Sequence, residues 1–147
     1  MVSYSFHLED FEKWLAGFAT KLGANFNDRI LTIPSHLGDG IIMARNVNTH
    51  FSYAIMNFKL ISDLEMRRDS GSKGFIITFN QVEAHKESAF GFPPHPVADK
   101  KPFFRNDIFL AEASDSASLR LTAGTMVKRL LIYSSHELAM QYLPADL

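Results

Sequence analysis

The chain has 147 residues, 46% of them hydrophobic, with fifteen Lys and Arg against sixteen Asp and Glu, a formal net charge of −1 and no cysteine. A chain of this length buries about 70% of its unfolded surface around one core, so a single domain over residues 1–147 is expected. The basic residues touch in sequence only at Arg67-Arg68, Lys100-Lys101 and Lys128-Arg129, which is no footprint for duplex nucleic acid. The lack of cysteine removes a disulfide scaffold, a thiolate zinc site and a cysteine nucleophile.

Leu8, Phe11, Leu15, Phe18 and Leu22 recur at helical spacing, with acidic residues in the first turn and Gly23 just past the end. They predict an amphipathic helix over about 8–22, its apolar stripe buried most simply against the outside of a sheet. The N-terminus has neither the basic start nor the apolar centre of a signal peptide, and no apolar run is long enough to span a bilayer. A soluble, cytoplasmic protein without a membrane partner is expected.

From Asp28 the period turns to alternating or continuous apolar residues, and it predicts a β-barrel over about 29–133. Strands are expected at Arg29–Ile33, Gly40–Val47, Phe51–Ser62, Gly74–Val82, Asp107–Ala113, Ala117–Leu121 and Met126–Tyr133. Turn chemistry separates them, most plainly at Gly38-Asp39-Gly40, Ser70-Gly71-Ser72 and Ala123-Gly124. Several strands are apolar on both faces: Phe51, Tyr53 and Ile55 alternate with Ala54, Met56 and Phe58. One face can line the interior, and the other must be covered by the helix or by a second subunit.

Between Glu83 and Asn106 four prolines interrupt the pattern and predict a long loop. After the last strand, Ser134 and Glu137 have capping-box spacing and predict a short helix over about 135–143, halted by Pro144.

Reacting groups are scarce. The six histidines form no His-x-His pair, and only a trio of His50, His85 and Glu83 could be assembled by the fold. Gly-x-Ser-x-Gly and the phosphate-loop patterns are absent. No catalytic residue, metal ligand or cofactor is assigned.

The order Ile33-Pro34 through Gly38-Asp39-Gly40-Ile41-Ile42, the strand Phe51–Leu60, and Ala123-Gly124-Thr125 followed by Val127 to Ile132 resembles the N-terminal sensor domain of AraC-type transcriptional regulators. The resemblance covers most of the chain and implies a mostly β cupin fold, a jelly-roll barrel, with an N-terminal amphipathic helix and a short C-terminal helix. It implies a role as well, in which the barrel binds a small molecule or mediates dimerisation while separate helix-turn-helix motifs bind DNA.

Those motifs find no residues before Leu147, so direct nucleic-acid binding by this chain is not expected. Metal-dependent cupins carry a Gly-x5-His-x-His motif, where this sequence shows Asn46, Asn48 and His50. The expectation is therefore an effector-sensing, homodimerising domain rather than an enzyme, with a small metal-dependent cupin enzyme (a dioxygenase or isomerase) as the alternative. Strand alternation selects Tyr53, Asn57 and Phe79 for the barrel pocket, and Arg45 to pair with an anionic small organic effector.

Overall fold

The computed structural model describes residues 2–7, 10–69, 73–84, 103–113 and 117–142. Most of the expected loop, residues 85–102, and the end of the expected C-terminal helix lie outside them.

The chain begins with a strand the hydrophobic pattern did not predict, β1 (Val2–Phe6), and continues into α1 (Phe11–Leu22). The strands that follow are β2 (Phe26–Asn27), β3 (Ile30–Thr32), β4 (Gly38–Asn46), β5 (Phe51–Leu60), β6 (Leu64–Arg68) and β7 (Phe75–Ala84). β8 (Phe103–Glu112), β9 (Ala117–Leu121), β10 (Met126–Ser134) and the short α2 (His136–Met140) complete it. Seven strands form one antiparallel sheet in the order β2-β3-β4-β5-β10-β7-β8, and β1-β6-β9 form a second. Two sheets, an N-terminal amphipathic helix and a short C-terminal helix fit the expected mostly β, jelly-roll type of fold.

α1 starts where Asp10, in extended conformation, accepts a hydrogen bond from Lys13 N at 2.9 Å, and ends at Gly23 with φ of 64°. These are the N-cap and the left-handed stop that satisfy otherwise orphaned backbone groups. Phe11, Trp14, Leu15, Phe18, Ala19 and Leu22 are buried on one stripe. The expectation that this stripe packs outside a sheet is corrected. Asn46, at the end of β4, shares its parity with the buried Ile42 and Ala44; its side chain accepts from Phe11 N at 3.1 Å and donates to Asp10 at 2.6 Å. The helix therefore lies on the inner face, in one core with both sheets.

β6 is a further strand the hydrophobic pattern did not predict: Leu64 and Met66 are buried while Arg67 is exposed. Glu65 alternates with them on the face of Arg67 and is half-buried. At Gly40, φ is 125° and an added Cβ would fall on the Asn57 carbonyl oxygen. β4 thus crosses β5 too closely for any side chain there. α2 is capped by Ser135, not Ser134: Ser135 Oγ accepts from Leu138 N at 3.1 Å.

Candidate functional site

Which face of the large sheet is interior follows from β5. Ser52, Ala54, Met56, Phe58 and Leu60 are all 5% exposed or less, whereas Ile55 is 40% exposed and Asn57 and Lys59 are exposed. Strand register carries this parity across the sheet. Met56 pairs with Arg129, Arg129 with Asn80, and Asn80 with Asp107.

Arg129, Asn80 and Asp107 therefore form a polar row on the inner face, spanning β10, β7 and β8. Above and below it stand the buried Val127, Val82, Leu131 and Thr78. The three polar residues are half-buried, so solvent reaches them although their neighbours on β7 and β10 are dry. Asn80 Nδ2 donates to Asp107 Oδ1 at 2.8 Å, and Arg129 Nε is buried. A cation, an amide and a carboxylate set in an apolar wall are the pattern of an orienting site for a small molecule. The guanidinium can grip a carboxylate or hydroxyl, and the Asp107 carboxylate can accept from a ligand donor.

The residues selected from sequence lie elsewhere. Tyr53, Asn57 and Phe79 belong to the outer face, as does Arg45, which sits opposite Tyr53 in the β4–β5 register. Their assignment to the barrel interior is corrected, because both faces of β5 are apolar enough to be core and alternation alone does not say which is inner. The structure does bring two of them together: Asn57 and Phe79 line a groove of about 660 Å³ on the outer face, with Ile55, Ile108, Lys128 and Leu130. Arg45 and Tyr53 do not line it. The inner row was readable only as polar interruptions within otherwise apolar strands, at Asn80 in FIITFNQV and Arg129 in MVKRLLIY.

His50 is held in a structural contact. His50 Nδ1 lies 2.9 Å from Ser135 Oγ and 3.8 Å from Glu137, and His50 O accepts from Ser135 N at 2.8 Å. It ties the start of β5 to the start of α2. Asn48 accepts from His50 N at 2.8 Å, and Asn46 holds α1. His85, of the trio with Glu83, lies outside the described residues. Among the described residues no three His, Asp or Glu side chains gather closely enough to hold a metal, and no helix is long and apolar enough to cross a membrane.

No protein-family model matches the sequence, and no curated protein matches it. Solved structures do resemble the fold. One is an RmlC-like cupin protein from Desulfovibrio desulfuricans, with 15% identity, 65% of this chain and 81% of that one covered, and a TM-score of 0.38. A second is an HTH_3 family transcriptional regulator from Vibrio cholerae, at 10% identity and a TM-score of 0.44, covering 85% of this chain and 64% of the regulator. A third is a predicted oxalate decarboxylase from Thermotoga maritima, at 11% identity and a TM-score of 0.35, covering 66% and 84%. Identities and scores this low transfer no property of those proteins to this chain.

Proposed function

We propose that this chain is the effector-sensing and dimerising domain of an AraC-like transcriptional regulator, a binding domain rather than an enzyme. The observation that carries the reading is the inner row of Arg129, Asn80 and Asp107, three polar side chains in an apolar wall and half open to solvent. Its effector is a small organic molecule with an anionic or hydroxylated end for Arg129 and an apolar remainder for the wall. In AraC-type regulators DNA contact belongs to separate helix-turn-helix motifs.

The test is thermal melting against a panel of sugars, hydroxy acids and small aromatic carboxylates. A compound at a hundred times its Kd stabilises by about 2.7 kcal/mol, roughly 5–10 °C for a chain of this size. Arg129→Met keeps the bulk of the side chain against the wall and removes its charge, so the shift disappears while the unliganded variant stays folded. A panel without effect, or a shift that persists in Arg129→Met, refutes the site.

A further inference from the structure

A strand at the edge of a sheet carries a row of backbone donors and acceptors with no neighbour, and natural edges are blunted by charged residues, proline or brevity. Among the described residues the two sheets end on β2 and β8 and on β1 and β9. β2 has two residues, β8 carries Arg105, Asp107 and Glu112, and β9 carries Arg120. β1 has five residues, with no charge and no proline.

Its ladder shows which groups stay open. Val2 N donates to Asp63 O at 3.2 Å and Phe6 O accepts from Asp69 N at 2.9 Å, so Val2, Tyr4 and Phe6 turn their backbone groups to β6. Alternation turns the N–H and C=O of Ser3 and Ser5 the other way, where they have no partner among the described residues.

Between β1 and α1 runs a cleft of about 860 Å³. Ser5 and His7 line it from the strand, and Lys13, Ala16, Gly17 and Thr20 line it from the helix, where their spacing makes a second stripe beside the buried one. No described residue of β6 lines it, so the cleft lies on the open side of β1. Its walls are tied together. A Cβ at Gly17 would strike Tyr4 Oη, which donates to Trp14 O at 3.1 Å.

We propose that an extended segment of another protein adds to β1 in this cleft as a further strand. Two observations select that occupant. The open groups come as donor and acceptor pairs about 6.7 Å apart, the two-residue repeat of a strand, which an extended backbone meets with four hydrogen bonds. The second wall of the cleft is α1, so a lone segment enters where the edge of a second folded domain, carrying its own covering layer, is blocked. On the helix side the segment meets Ala16 and Gly17, which suits an apolar side chain there.

Fluorescence polarisation tests this with labelled hexapeptides that alternate threonine with valine, leucine or phenylalanine, and circular dichroism is the folding control. At least one peptide is expected to bind the wild-type chain with a Kd of about 100 µM or tighter. Only one edge of the peptide faces β1. N-methylation of one alternate set of its amides therefore weakens binding about tenfold or more, while methylation of the other set leaves it unchanged. Ser5→Pro removes an N–H that β6 does not use, and Ala16→Phe fills the cleft from the helix without altering the strand. Each weakens binding about tenfold or more. No binding of any peptide at about 1 mM overturns the proposal, as does an equal effect of methylating either set, or binding unchanged in Ala16→Phe. Self-association of the wild type that is lost in Ser5→Pro makes a second copy the occupant and overturns it too.

Discussion

Asp10 shows how one side chain can fix the geometry of a domain. It caps α1 at Lys13 N and also accepts from Asn46 Nδ2 at 2.6 Å, so the helix start and the end of β4 share one carboxylate. Burial pushes its pKa up. The hydrogen bonds from Asn46 and from the Lys13 and Glu12 backbone, with the nearby Lys13 charge, more than offset this and hold it below the usual carboxylate value. A depressed carboxylate contributes stability that is present above its unfolded value, about 3.9, and is lost as pH falls through the folded value. Asp10→Asn keeps a good N-cap but cannot titrate. The melting temperature of the wild type should therefore fall more steeply than that of the variant between about pH 5 and pH 3. Parallel pH profiles in thermal melts would show that Asp10 does not carry the linkage.

Gly40 carries the corresponding constraint at the level of the element. A methyl group there meets the Asn57 carbonyl in a backbone conformation that L side chains rarely adopt, so Gly40→Ala should cost about 2 kcal/mol or more. On this size of chain that lowers the melting temperature by roughly 5 °C or more, and an unchanged melt would mean that β4 can move off β5. The glycine spacing at Gly38-Asp39-Gly40 suggests a turn, but these residues lie in β4, paired with Phe58 to Leu60, and the turn falls just before them at Ser35 to Leu37. Which face of β5 is buried was not legible, because Tyr53 and Ile55 are as apolar as Ala54 and Met56. The tie is broken by what the strand faces: α1 and the sheet β1-β6-β9. Two of those partners were missed, since β1 is short and serine-rich and β6 carries Glu65, Arg67 and Arg68. With half of the opposing wall unseen, alternation supplied a period but no direction, and Tyr53, Asn57 and Phe79 were turned inward.

At the scale of the whole molecule, the mostly β architecture was legible from strand-length apolar runs separated by glycine and serine turns. Pairing order was not, because β5 sits beside β10 and β10 beside β7, across long stretches of chain. The binding reading also makes a claim about content. Protein purified without added metal should contain iron, manganese and zinc well below one equivalent per chain when assayed by elemental analysis. One tightly held equivalent would favour the enzyme alternative.

β1 and β6 are the one parallel pair among the described strands, with Val2 opposite Leu64 and Phe6 opposite Arg68. A parallel pair cannot close through a hairpin, so β1 must wait for the helix and four strands that separate it from its partner. During synthesis β1 is made before its partner yet is among the later strands to dock, and loop closure of this span slows folding relative to the β4–β5 hairpin. Until it docks, the backbone edge of β6 is open to strands of other chains. The vulnerable interval for aggregation is set by how quickly the N-terminal strand returns to that edge.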